Sequence, residues 1–343
     1  MPTTDASRAP QQLGDPTMRA VVQDGYGSSE VLRVARVPRP AVGDRQVLVE
    51  VRAAGLDRGT EHLMTGTPYA MRLGFGLRRP RNPVLGRDVA GTVLRVGDSV
   101  TRFAPGDEVY GVARGSFAEL AVAGEDKLAR KPARLSFAQA AVVPVSGGTA
   151  LQALTGPGRL QQGQRVLVVG ASGGVGSFAV QIAKALGAEV TGVCSSAKAA
   201  FVTELGADQV LDYAADDWAD DWADGSRRFD LVLDIAGNPP IGRLRRALTP
   251  HGTAVFVGGE GAGRLTGMGR QLRGALLVSP FVPQRLALFM AKERGADYER
   301  LTELIDAGAV TPALQRSYPL DEAPLAVRLL ETGQVRGKVA ITV

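Results

Sequence analysis

Residues 165–198, RVLVVGASGGVGSFAVQIAKALGAEVTGVCSSAK, leave this chain few ways to fold. Val166 to Val169 form a short apolar run closed by Gly170, as expected of a strand covered on both faces of a parallel sheet. Gly173, Gly174 and Gly176 follow, and Ala179, Ile182, Ala183 and Leu186 then recur at helical spacing, which predicts a helix beginning near Val175. Ala188 to Val193 reads as a second buried strand, so the stretch is one complete βαβ unit. Bare backbone at the glycine turn lets a diphosphate approach and rest its charge on the first amides of the helix. Glycines alone could serve turn geometry only. Here a strand precedes them, a helix follows, and the second strand ends about 20 residues on, where the ribose of a dinucleotide lies.

The end of that second strand selects among dinucleotides. A carboxylate there would bind ribose hydroxyls and repel a 2′-phosphate. This chain instead carries Ser195, Ser196 and Lys198, two hydroxyls and an ammonium suited to a phosphate, so NADPH is expected before NADH. Either serine could also cap the next helix, which does not conflict with a phosphate site at the same turn.

Composition narrows the class. The 343 residues suffice for two domains, and 45% hydrophobic with 22% charged residues is ordinary for a globular protein. No apolar run is long enough to span a bilayer and no secretory pattern opens the chain, so the expected location is the cytoplasm. One cysteine, Cys194, and two histidines, His62 and His251, cannot build a multi-cysteine zinc cage. The net charge of +5 comes without an aromatic-rich platform or zinc-finger spacing, so nucleic acid is not expected as a partner, and for want of a spanning run neither is a membrane. Arginines cluster at 72–87 and 264–285, either as solvated surface or flanking a site for an anion.

In chain order, residues 1–17 read as a mobile leader. From Met18 to about residue 131, short alternating runs separated by Pro and Gly turns predict a glycine-bent β domain; Ala53 to Tyr69 reads as a loop with a short helical piece. Helical pattern begins at Ser136. Further buried strands are expected at Val210 to Leu211, Leu231 to Ile235, Thr253 to Val257 and Leu276 to Val278, alternating with helices as in a doubly wound parallel sheet. The acidic near-repeat from Ala214 to Gly225 reads as solvated helical surface. Helices are expected around Tyr298 to Ala307 and Pro324 to Glu331, and the closing KVAITV is a strand in need of a sheet, expected in the first domain.

PVLGRDVAGTV, FAPGDEVYG, GASGGVG, VCSSAK, LGADQVLDY and GKVAITV together resemble the medium-chain dehydrogenases and reductases, and within them the zinc-free quinone oxidoreductase branch. The likeness runs from about Met18 to Val343. It implies an α/β protein with a GroES-like β-rich catalytic domain (residues 18–140 and 284–343), a Rossmann NADPH-binding domain (141–283), a cleft between them, and a homodimer formed through edge strands. Zinc-dependent relatives place a Cys in the loop that here reads Ala54-Gly55-Leu56-Asp57 and a His-Glu pair where this chain has Arg87-Asp88. Those soft ligands are missing, so no zinc site is expected, and reduction of an activated double bond is favoured over alcohol oxidation.

The resemblance implies hydride transfer from NADPH to a quinone or to the β-carbon of an enone, with donors to hold the oxyanion and a proton to follow. Asp57 stands where the branch usually has Asn; an ionised carboxylate would repel an enolate, so pairing with Arg58 or Arg87 is favoured over an acid role. Tyr69, in a loop that covers the substrate in relatives, is the better proton donor, with a packing role the alternative; His62 lies in the same segment. Thr149 resembles a nicotinamide-side contact, Tyr213 a residue near the adenosine phosphate, and Val257, Gly258, Gly259 and Lys338 positions facing the nicotinamide half. Residues 261–283 are a lid or a subunit contact. A zinc-free ketone or tailoring reductase, and an NADPH-binding sensor without catalysis, are the alternatives.

Overall fold

The computed structural model describes residues 16–214, 228–237, 239–258 and 269–343, with the side chains of 269–272 left aside. Most of the expected leader, the acidic near-repeat after Ala214, Gly259 and the first part of the 261–283 segment lie outside the described residues.

Alternating apolar positions in the first third build antiparallel strands. β1 (Thr17–Gln23) and β2 (Leu32–Pro38) pair with each other. β3 (Gln46–Leu56) then runs farther than expected: Ala53 and Ala54, read from sequence as loop, are fully buried strand residues, and the chain turns only at Asp57. Two short helices, α1 (Arg58–Thr65) and α2 (Arg72–Phe75), precede β4 (Asp88–Val96), β5 (Glu108–Val112), β6 (Leu120–Gly124) and β7 (Leu128–Arg130). α3 (Phe137–Ala141) starts from a capping box in which Ser136 and Gln139 satisfy each other's amides, and α4 (Pro144–Thr155) follows.

The βαβ unit forms as read. β8 (Arg165–Val169) leads through the glycine turn into α5 (Gly174–Ala185) and β9 (Glu189–Cys194). Then come α6 (Ala199–Glu204), β10 (Gln209–Asp212), β11 (Phe229–Asp234), α7 (Ile241–Ala247), β12 (Leu248–Phe256), α8 (Gly269–Val278) and β13 (Arg285–Leu288). Leu276 to Val278 is therefore helix, not strand. Three apolar residues carry no period of their own, and both Leu276 and Leu277 face outward. The last strand of the parallel sheet is β13 instead.

The six strands lie in the order β10-β9-β8-β11-β12-β13 and every pairing is parallel. This is the doubly wound dinucleotide-binding order, with its reversal between β8 and β11. The chain closes with α9 (Gly295–Asp306), β14 (Leu314–Pro319), α10 (Ala323–Glu331) and β15 (Lys338–Thr342). β15 pairs antiparallel with β3, so the seven-stranded second sheet takes strands from both ends of the chain. One core cluster joins Ala53, Ala90 and Tyr110 of that sheet to Val166 and Phe178 of the βαβ unit, which holds the two sheets in fixed relation.

Candidate active site

Between the two sheets lies a cleft of about 1550 Å³. One wall is the carboxyl edge of the parallel sheet. Tyr213 lies beyond β10, Ser195 and Lys198 beyond β9, Gly170, Ser172, Gly173 and Gly174 beyond β8, Ile235 to Gly237 beyond β11, and Val257 and Gly258 beyond β12. Five neighbouring strands span roughly 19 Å at the usual inter-strand spacing. An extended dinucleotide lies naturally along such an edge, across the switch point.

The backbone at the centre of that edge is shaped for a close neighbour. Gly170 has φ of 88°, and a Cβ there would stand 2.6 Å from the Cβ of Ala236. A Cβ on Gly174, the first residue of α5, would meet Lys338 Cδ at 3.0 Å and Ser146 Oγ at 3.1 Å. Gly173 and Val175 also line the cleft. Gly176 does not: it is buried, and a Cβ on it would fall 2.1 Å from the carbonyl oxygen of Gly170. Its bareness lets α5 approach the end of β8. Gly176 therefore serves packing rather than the phosphate-facing role that its place in the glycine run suggests.

At the β9 end, Ser195 and Lys198 face the cleft but Ser196 is exposed outside it, its N–H donating to Asp212 Oδ2 at 3.2 Å. The Lys198 ammonium donates to the carbonyls of Gly333 and Val335, both at 2.9 Å, and so bridges to the chain's last segment. Cys194 is buried; burial and then Asp212 push its thiol up, which leaves it a poor nucleophile.

The opposite wall comes from the second sheet. Asp57 follows β3 and caps α1, its Oδ1 accepting the Thr60 N–H at 2.7 Å while Oδ2 has no hydrogen-bond partner. Neither expected ion pair of Asp57 forms within contact distance. Arg58 pairs with Glu61 and Arg87 with Glu293. The charge of Asp57 is still felt: burial opposes the Arg87 cation, but Asp57 and Glu293 together hold its guanidinium above the ordinary range. Tyr69 is 39% exposed, lines the cleft, and lies under the Arg72 guanidinium, 4.6 Å from its ring centre. Tyr26 receives the same cation at 4.3 Å. His62 lines the same wall. Thr149, on α4, lines the cleft and donates its hydroxyl to Val145 O at 2.6 Å.

Sequence reasoning named Lys338 but missed what holds it. The ammonium is 2% exposed, donates to Ser146 Oγ at 3.0 Å and lies 3.6 Å from Asp88 Oδ2. Asp88 in turn accepts the Val145 N–H on Oδ1 at 2.9 Å. Burial raises the Asp88 carboxyl to about 7 although Lys338 pulls it down. From sequence, Asp88 stands out only as half of the Arg87-Asp88 pair that replaces the His-Glu of zinc-dependent relatives. Ser146 and Asp88 carry no local motif that would tie either to a lysine near the other end of the chain. Among the described residues no group of three or more His, Cys, Asp or Glu is placed to hold a metal ion.

Two family descriptions match the chain, Alcohol dehydrogenase GroES-like domain over residues 43–134 and Zinc-binding dehydrogenase over residues 205–341. The chain is 33% identical over 364 residues to the mitochondrial NAD(P)H oxidoreductase RTN4IP1 of Mus musculus, covering 95% of this chain and 89% of that protein. It is 30% identical over 336 residues to the chloroplastic quinone-oxidoreductase QR1 of Triphysaria versicolor, covering 94% and 98%. Among solved structures it is similar to the quinone oxidoreductase from Coxiella burnetii, with a TM-score of 0.82, 30% identity, and coverage of 95% and 99%. Relatives with organellar names lend no support to the cytoplasmic expectation.

Proposed function

The chain belongs to the medium-chain dehydrogenase/reductase superfamily, in its quinone oxidoreductase-like branch, and on that premise we propose that it reduces a quinone or an α,β-unsaturated carbonyl with NADPH and without zinc. The observation that carries this reading is the single cleft in which the bare backbone of Gly173 and Gly174, at the start of α5, faces Tyr69 and Asp57. The fit to a dinucleotide rests on those glycines, on the amides of α5, and on Lys338, which lines the same cleft and whose Cδ lies where a Gly174 side chain would have to go. Ser195, Lys198 and Tyr213 would hold the 2′-phosphate end; Thr149, Val257 and Gly258 would border the nicotinamide end.

Bound NADPH supplies the hydride. The protein's part is alignment and charge control. The Tyr69 hydroxyl would donate the proton to the reduced substrate, a role supported by Tyr69 lining the cleft with Arg72 over its ring. Asp57 spends Oδ1 on the α1 cap, and its role is to hold that helix against the cleft. The exposed side chains of Leu276, Leu277, Phe281 and Met290, next to the edge strand β13, form the face through which a homodimer would assemble. Sedimentation of L277D, which should be monomeric, tests that part.

The central experiment is NADPH and NADH oxidation with a panel of quinones, enones and ketones, alongside fluorescence titration of both cofactors. Tighter NADPH binding with quinone or enone turnover is expected. NADPH binding without turnover of any acceptor would leave a sensor, and no affinity for either cofactor would end the reading. Y69F should lower kcat with an enone while leaving cofactor affinity intact; an unchanged kcat removes Tyr69 as the donor.

A further inference from the structure

Residues 69–81, YAMRLGFGLRRPR, stand at the mouth of the cleft, where Pro68, Tyr69 and Arg72 line it. Immediately outward, the chain exposes three large apolar side chains: Leu73 at 72%, Phe75 at 49% and Leu77 at 67%. Nothing in the described fold covers them. Gly74 and Gly76 separate them; Gly76 has φ of 124° and a Cβ on it would stand 2.1 Å from Arg79 O, so the segment closes in a tight turn that lifts the side chains off the body. The base of the turn is firm. Arg72 is held between the rings of Tyr26 and Tyr69 and donates through Nε to Gly66 O at 2.9 Å, while Tyr26 donates its hydroxyl to Gly76 O at 2.5 Å.

Behind the apolar tip come Arg78, Arg79 and Arg81, all exposed and none in an ion pair with a described residue. No Asp or Glu occurs between Glu61 and Asp88, so the segment itself carries positive charge only. Separate apolar points on a ridge, backed by unneutralised guanidinium groups, match a surface that is negative outside and apolar a few ångströms in. A nucleic acid would ask for stacking aromatics, of which the tip has one.

We propose that this turn docks the cleft mouth onto an anionic phospholipid bilayer, Leu73, Phe75 and Leu77 entering the headgroup boundary and Arg78, Arg79 and Arg81 engaging lipid phosphates. The docking rests on the quinone or enone reading only for its purpose, which is to let a lipid-dissolved acceptor reach Tyr69 without crossing water. It departs from the expectation of no membrane partner, which followed from the lack of a spanning segment; a surface-seated turn needs none.

The test is co-sedimentation of the full chain with vesicles of phosphatidylcholine alone or mixed with phosphatidylglycerol. The wild type should bind the mixed vesicles, release them with added salt, and ignore the neutral ones. Each arginine is worth roughly fivefold, so R78A/R79A/R81A should bind about 100-fold more weakly. L73S/L77S should lose about tenfold or more. Both variants should keep wild-type NADPH affinity and turnover of a water-soluble short-chain quinone, which shows that they fold. Equal binding to neutral vesicles, binding that survives both sets of substitutions, or a change of oligomeric state in the variants without vesicle binding would each overturn the proposal. Vesicle binding by a protein that reduces no acceptor would refute the proposed activity and leave the docking surface standing.

Discussion

Asp234 closes β11 beside the cleft wall, fully buried, and neither carboxylate oxygen accepts a hydrogen bond from a described residue. Burial pushes its carboxyl from the ordinary 3.8 up to about 7, the nearby Gly237 N–H offsetting only part of that. In the folded protein the group therefore keeps its proton to a higher pH than in the unfolded chain. From about pH 4 to about pH 7 unfolding releases that proton, so this one residue makes stability fall as pH rises, by about 1.4 kcal/mol per unit and about 4 kcal/mol in all, with no further loss above pH 7. Asn cannot ionise and removes the whole dependence. Its amide N–H groups would themselves lack partners, at about 1–3 kcal/mol. Asp234→Asn should thus be less stable than wild type near pH 4 and more stable by about 1–3 kcal/mol at pH 8. Urea unfolding across pH 4 to 8, followed by circular dichroism, reads this directly. Parallel pH profiles for the two proteins would refute the assignment of a buried, unpaired carboxyl.

Asp88 is raised to the same value but has a partner, so its removal is expected to destabilise the protein. Asp88→Leu should destabilise by about 3–5 kcal/mol at neutral pH, because the 2%-exposed Lys338 loses its counter-charge, and adding Lys338→Met should recover much of that in the same unfolding assay. Gly176→Ala should lower the melting temperature more than it changes NADPH affinity, since its Cβ would strike the Gly170 backbone at 2.1 Å; Gly174→Ala should do the opposite, its Cβ standing in the cleft with Lys338 Cδ at 3.0 Å and Ser146 Oγ at 3.1 Å and no backbone atom nearer than Gly337 O at 3.7 Å. Fluorescence titration beside a melting curve separates the two. Asp57→Ala should cost about 1 kcal/mol through the lost α1 cap, whereas Asp57→Asn should keep both the cap and enone turnover; a collapse of kcat in Asp57→Asn would make Asp57 a proton donor after all.

What the amino-acid order alone determined are the features written within a dozen or so residues. The apolar run at Val166 to Val169, the glycine turn and the helical spacing after it specify β8, α5 and their join wherever the rest of the chain goes, because burial on both faces and backbone approach are local demands. The same holds for α10 and for β15, whose apolar pattern survives at the far end of the chain. Tertiary structure decided the rest. Leu276 to Val278 is equally apolar as strand or helix, and only its position outside the sheet, with Leu277 turned outward, makes it helix. Gly176 looks like its neighbours in sequence, yet it serves packing because α5 must touch the end of β8 there. Lys338, Asp88 and Ser146 meet only because β15 crosses back to β3, and a charge taken out of water is tolerable just where the fold brings it a partner.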